Sequence, residues 1–285
     1  MKKLNRLILA SIFFVFSGSL AAETVELETG ERRIAQATYL QGDNDANPVL
    51  ILHGFLQTRE FPTVNRLANS LNEAGYTVLA PTLTLGLNKR KKSLACEAIH
   101  THNTNSDTAE IVQWVNWLSE KTGKTVTVIG HSAGSQTLLG YMSNYENKKL
   151  DKAIFISMSY FAQGPSAHET PELAQRAQKN LEQGYNSMDT YAMSFCKTYP
   201  TRASDFLSYY EWDRKKVAGI ATEYADIINV IIGTGDQRID ADWKEQLKQN
   251  SISVIEIEGA NHFFDQAHEF DLLDAIENLL GDSEA

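Results

Sequence analysis

Thr125-Val126-Thr127-Val128-Ile129-Gly130-His131-Ser132-Ala133-Gly134 joins the most β-branched run of the chain to a five-residue turn centred on a serine. β-Branched side chains pack well on a pleated surface and are stiff in helices, so 125–129 reads as a buried strand. Helical spacing follows Gly134 and continues to about Tyr145. Strand, tight turn and helix thus succeed one another without a gap. Gly130 and Gly134 flank the turn, where a missing Cβ lets neighbouring backbone pass close by. Ser132 is thereby placed on a sharp corner with its hydroxyl exposed beyond a strand end.

The same alternation extends in both directions. Upstream, 24–29 and 32–40 read as a hairpin turned near Gly30, and Val49-Leu50-Ile51-Leu52 is a short apolar run ending in His53-Gly54. Residues 61–74 carry helical spacing and stop at Gly75, and 77–80 form a strand stopped by Pro81. Ser106 or Asp107 can cap a helix through Ser119. Downstream, 153–158, 226–232 and 253–257 are strand patterns, while 240–249 and 266–280 are helical. Strands alternating with helices predict an α/β fold: a mostly parallel sheet with helices on both faces. Two stretches break the rhythm. Residues 82–105 form a long connection without clear period. Residues 159–225 are rich in Tyr, Gln, Met and Ser and read as irregular helices.

A serine hydroxyl is a weak nucleophile without a base, and a base needs orienting. Asp236 follows the strand at 226–232 in Gly233-Thr234-Gly235-Asp236-Gln237, and His262 follows the last strand in Gly259-Ala260-Asn261-His262-Phe263-Phe264. Both stand beyond carboxyl ends of buried strands, where open parallel sheets present their chemistry. With Gly-His-Ser-Ala-Gly, these loops resemble the α/β-hydrolase superfamily in identity and order, from about residue 24 to the C-terminus. The resemblance implies that fold, with a helical cap insertion at about 159–225 in a domain spanning 23–285. It also implies Ser132 as nucleophile, His262 as general base then acid, and Asp236 as the residue that orients His262. Asp240, Asp242 and Asp265 are weaker acid candidates in helices or at helix starts. The N–H groups of Phe55, after the family-like His53-Gly54, and of Ala133 would form the oxyanion hole. The implied activity is hydrolysis of a carboxylic ester through an acyl-enzyme, with no cofactor and no metal. A thioesterase, peptidase or acyltransferase would use the same residues. A non-catalytic binding protein is the reading from another class; all three triad positions being filled speaks against it.

Composition narrows the partners. The formal net charge of -10 disfavours nucleic acid, which needs a basic surface. The aromatic residues of the cap suit a small-molecule or lipid-like acyl substrate. Lys2, Lys3 and Arg6, an apolar run at 7–16 and small residues through Ala22 read as a cleavable signal peptide over 1–22. That predicts a periplasmic or secreted protein with no transmembrane segment after cleavage. Cys96 and Cys196 could be bridged in an oxidising compartment or remain as two buried thiols. His100 and His102 have no third metal ligand at convincing spacing and read as a solvated loop. Lys89-Arg90-Lys91-Lys92 reads as a solvated basic turn. His53 reads as a residue that holds its loop, and the His131 side chain as pointing away from the chemistry.

Overall fold

The computed structural model describes residues 22–30, 32–146, 148–161, 163, 167 and 169–281. The expected signal peptide lies outside the described residues except for Ala22. The chain opens with β1 (Glu23–Glu28) and β2 (Ile34–Leu40), an antiparallel pair. Next come β3 (Val49–Leu52), α1 (Pro62–Glu73), β4 (Val78–Thr82), α2 (Thr104–Thr122), β5 (Val126–His131), α3 (Ala133–Asn144) and β6 (Leu150–Ile156). The insertion then supplies α4 (Thr170–Glu182), β7 (Met188–Met193), β8 (Cys196–Arg202), α5 (Ala203–Tyr210) and α6 (Arg214–Glu223). It returns to β9 (Ile228–Gly233), α7 (Ala241–Gln249), β10 (Ser253–Ile257) and α8 (His268–Gly281).

Eight strands form one sheet in the order β1-β2-β4-β3-β5-β6-β9-β10. β2 runs antiparallel to β4, and every pairing from β4 to β10 is parallel. The continuous apolar runs follow from burial on both faces. In β3, Leu50 and Leu52 enter one core and Val49 and Ile51 the other; in β6, Ala153 and Phe155 divide from Ile154 and Ile156 in the same way. The first core is covered by α2, α3, α6 and α7 through Trp114, Leu138, Val217 and Trp243. The second is covered by α1 and α8 through Val64, Leu67, Leu272 and Ile276. Each such aliphatic side chain contributes about 1.5–3 kcal/mol on leaving water.

Three local outcomes differ from the sequence reading. Helix α2 starts at Thr104 because Asn103 is its N-cap: the Asn103 side chain accepts from Ser106 N–H, and the Ser106 hydroxyl answers the Asn103 N–H. The insertion is not wholly helical, since β7 and β8 form an antiparallel hairpin. Nor are His100 and His102 solvated, although Glu97, Ile99 and Thr101 beside them are exposed. Cys96 is bonded to Cys196 at the start of β8, with Cα atoms 5.3 Å apart. His100 N–H donates to Pro200 O at 2.9 Å, and Thr201 Oγ1 donates to His100 O at 2.9 Å. His100 and His102 are consequently buried against the hairpin. Among the described residues no helix is long and apolar enough to cross a membrane.

Candidate active site

β5 delivers Ser132 to the carboxyl edge of the sheet, and the turn there has φ 55° and ψ −123°. A non-glycine residue at positive φ costs about 1–3 kcal/mol and persists only where its surroundings over-determine it. Two glycines make the corner possible. A Cβ on Gly130 would come within 2.6 Å of Ser135 N, and one on Gly134 within 2.6 Å of His53 O. Ser132 N–H donates to Ile156 O at 2.8 Å, pinning the corner to β6.

The loops after β9 and β10 are locked together by Gly235 N–H donating to Ala260 O at 3.0 Å. Asp236 and His262 project from them. His262 Nδ1 lies 2.8 Å from Asp236 Oδ2, and His262 Nε2 lies 3.0 Å from Ser132 Oγ. A carboxylate only accepts, so Nδ1 carries the proton and Nε2 is free to accept from the serine hydroxyl. Burial works against the Asp236 carboxylate. The hydrogen bond and charge of His262, the Arg238 N–H and the Ser157 hydroxyl outweigh it and hold its pKa below the usual value. The three residues named from sequence are therefore brought together in one hydrogen-bonded line. Asp240 instead caps α7 by accepting from Trp243 N–H at 2.7 Å, and Asp265 accepts from the Asn261 side chain.

The His131 ring does not line the cleft, yet it takes part in the construction. Its Nε2–H donates to His262 O at 2.9 Å, and the Ser157 hydroxyl reaches the same carbonyl at 3.2 Å. The backbone of His262 is thus held from two sides. Phe55 and Ala133 flank Ser132, and among the described residues neither N–H finds a protein acceptor.

Arg90 holds the Phe55 loop and was not legible as doing so. It is 5% exposed rather than solvated. Its Nη2 donates to Gln57 O at 2.6 Å and to His53 Nε2 at 3.2 Å. Its Nη1 donates to Lys92 O at 3.0 Å and Leu56 O at 3.4 Å, and its Nε to Leu83 O at 2.7 Å. Leu56 sits at φ 58° within the loop so clamped. His53 Nε2 also accepts from Leu83 N–H at 3.1 Å, so its proton is on Nδ1, facing Gly54 O at 2.8 Å. His53 is structural, as its strand-end position predicts. Glu110 of α2 secures the adjoining loop, accepting from Thr84 Oγ1 at 2.8 Å.

These buried groups set an acid limit on stability. Burial, followed by the charge of Arg90, pushes the His53 pKa down to about 3. Burial, followed by the charge of His262, does the same to His131, also to about 3, and burial takes His100 to about 4. Unfolded, each titrates near 6.5. Between pH 6.5 and 4 the unfolded chain therefore binds protons that the folded protein refuses, and stability falls with acidification. Glu110 opposes this. Burial pushes it up to about 7 from 4.5, so it binds a proton in the folded state and its contribution is lost as pH rises through 7. Near pH 5.5 unfolding lets His53, His100 and His131 take up protons while Glu110 gives one up, so on balance stability should fall on acidification there. Urea titrations between pH 5 and 6 check this; a flat or inverted dependence would contradict it.

Ser132 and His262 open into a cleft of about 550 Å³. Its lining is mixed: Phe55, Phe195 and Phe263 stand beside Gln57, Tyr160, Gln237, Arg238 and Asp240. Among the cap aromatics Tyr191 stacks on Phe206 within the cap, with ring centres 4.3 Å apart, whereas Phe161, Phe195 and Tyr199 pack on Phe55 and Tyr160 packs on Trp243, so it does not hold that most of them form the cap's own core.

Comparisons with known proteins agree with this fold. No curated protein matches the sequence. Est1E from Butyrivibrio proteoclasticus, solved with ferulic acid bound, is similar at 17% identity and TM-score 0.65, over 90% of this chain and 98% of that one. The α/β hydrolase GrgF from Penicillium sp. sh18 is similar at 13% identity and TM-score 0.66, over 92% and 97%. A thermophilic esterase from Thermogutta terrifontis, with malate bound, is similar at 15% identity and TM-score 0.61, over 93% and 100%. At these identities the likeness is one of fold. The family model for the alpha/beta hydrolase fold matches residues 47–192. With the sheet order, the elbow and that match in hand, the chain belongs to the α/β-hydrolase fold family.

Proposed function

We propose that the protein is an exported serine hydrolase that cleaves a carboxylic ester through an acyl-enzyme intermediate. The observation that carries this reading is the unbroken line from Asp236 Oδ2 through the His262 ring to Ser132 Oγ, at 2.8 and 3.0 Å. His262 Nε2 takes the Ser132 proton as Oγ bonds to the substrate carbonyl carbon. The Phe55 and Ala133 N–H groups stabilise the oxyanion. His262 then protonates the leaving alcohol as the ester C–O bond breaks. In the second half His262 draws a proton from water, whose oxygen bonds to the acyl carbon; Ser132 Oγ leaves with that proton and the acid is released. Asp236, held ionised, steadies the imidazolium that forms in each half. Export is supported by the leader sequence and by the Cys96–Cys196 bond, which suits an oxidising compartment.

Incubation of the folded protein with a fluorophosphonate probe, read by intact mass and peptide mapping, tests the proposal. One adduct on Ser132, absent after heat denaturation, is expected. An unlabelled serine in folded protein would remove the enzyme reading.

A further inference from the structure

We infer that the alcohol half of the substrate carries a carboxylate, held by Arg238 in the wall of the catalytic cleft, so that the substrate is the ester of a hydroxy acid. The inference rests on the serine-hydrolase reading and names the substrate class of that site.

The cleft that Ser132 and His262 line has two charged side chains in its wall, Arg238 and Asp240. Asp240 is already compensated. Its Oδ1 accepts from Trp243 N–H at 2.7 Å at the start of α7 and lies 3.9 Å from Arg214 Nη1, and its Oδ2 accepts from Gln163 Nε2 at 3.2 Å. A helix start and a neighbouring cation both offset a carboxylate's charge. Arg238 has no such partner. It is exposed, and among the described residues its guanidinium meets neither a carboxylate nor any hydrogen-bond acceptor. What it meets is the Phe263 ring, whose centre lies 4.9 Å from Cζ. A guanidinium lying over an aromatic ring is steadied by the ring's negative face while its N–H fork stays available. That fork matches a carboxylate bidentately.

The backbone beneath this cation is tied to the triad, since Arg238 N–H donates to Asp236 Oδ1 at 2.9 Å. The charge therefore stands at a set place relative to the reacting atoms, in a cleft whose low-dielectric walls focus its field. Position then selects the half of the ester. His262 Nε2 must give its proton to the leaving oxygen, so the departing alcohol lies against the wall that His262 begins. Phe263 continues that wall, its ring centre 5.2 Å from that of His262, and Arg238 lies over Phe263. A carboxylate on the alcohol meets Arg238 across the span of about one aromatic ring. A single uncompensated cation suits a single negative charge; a phosphate dianion would find no second cation in this wall and would face Asp240. Hydrolysis frees the acyl acid and a hydroxy acid that keeps its carboxylate.

Two matched pairs of esters, assayed on the full folded protein and each corrected for its spontaneous hydrolysis, decide the matter. One pair differs in the alcohol half, p-acetoxybenzoate against methyl p-acetoxybenzoate; the other differs in the acyl half, methyl hydrogen adipate against dimethyl adipate. At low salt kcat/KM should favour p-acetoxybenzoate over its methyl ester by roughly tenfold, the low end of what a charge-assisted hydrogen bond is worth. Molar salt should shrink that ratio towards one. Arg238→Gln should bring it to about one, Arg238→Glu should invert it, and Arg238→Lys should leave it between, each variant first shown folded by circular dichroism. A readout independent of turnover is protection of Ser132 from the fluorophosphonate probe: benzoate should protect at roughly a tenth of the concentration that benzamide needs. A wild-type ratio of one or less, a ratio unchanged in Arg238→Gln, or a preference confined to the adipate pair overturns the inference. Where neither pair is turned over, equal protection by benzoate and benzamide overturns it. Any of these with an adduct on Ser132 defeats the carboxylate site alone; no adduct defeats the hydrolase reading beneath it.

Discussion

Ser132→Ala, His262→Ala and the double variant are each expected to lose about the same activity, roughly 10⁵ to 10⁶-fold in kcat. The reason is that the hydroxyl and the imidazole act as one device. Without His262 the hydroxyl keeps its proton, and without Ser132 the imidazole has nothing to activate in the acylation step. The second substitution thus removes what the first has already disabled. Asp236→Asn should cost about 10⁴ through a different route. An amide N–H facing His262 Nδ1 would force the ring proton onto Nε2, the nitrogen 3.0 Å from Ser132 Oγ that must accept. Turnover of the best p-nitrophenyl ester, measured for the three single variants and the double, checks the pattern. Losses that multiply in the double variant, or a Ser132→Ala protein retaining a few per cent of activity, would refute the shared mechanism.

How much of this was legible beforehand depends on how local each signal is. The elbow was legible because strand, glycine-flanked turn and helix are contiguous, and because Gly130 and Gly134 answer to close backbone contacts. Asp236 and His262 were legible because a parallel sheet gathers its strand exits at one edge. The β7–β8 hairpin was not. Met188–Met193 carries exposed residues at one end and buried ones at the other, and Cys196–Arg202 holds a proline, so neither shows a clean two-residue period. Arg90 was hidden for another reason. Inside Lys89-Arg90-Lys91-Lys92 nothing marks one cation as different; only the surrounding carbonyls of Leu56, Gln57, Leu83 and Lys92 do. His131 was likewise visible in the motif, but its bond to a carbonyl 131 residues away is not a property of the motif.

Arg90→Ala is the variant expected to cost most among residues remote from the reacting atoms. The guanidinium has five N–H donors, and the acceptors they meet are four backbone carbonyls and the His53 ring, with no carboxylate among them. Burial lowers its pKa to about 10, a shift that Glu110 and Asp107 partly offset, so it stays charged at neutral pH. Removing it leaves buried acceptors unpaired, each costing about 1–3 kcal/mol, and a total of roughly 3–5 kcal/mol after relaxation is expected in the urea midpoint. Catalysis should suffer separately. Leu56 and Gln57 follow Phe55 directly, so a loop released from Arg90 loses its hold on the Phe55 N–H. Loss of one oxyanion donor is worth roughly 10²–10³ in kcat, with KM little changed because the ground-state ester scarcely uses it. Arg90→Lys keeps the charge but offers three donors on a tetrahedral head, and should fall between. Methylguanidinium added to Arg90→Ala should restore part of kcat at a concentration where methylammonium does not, since the planar fork rather than the charge sets the loop. A folded Arg90→Ala protein with wild-type kcat, or equal rescue by both cations, would show that Arg90 merely fills space.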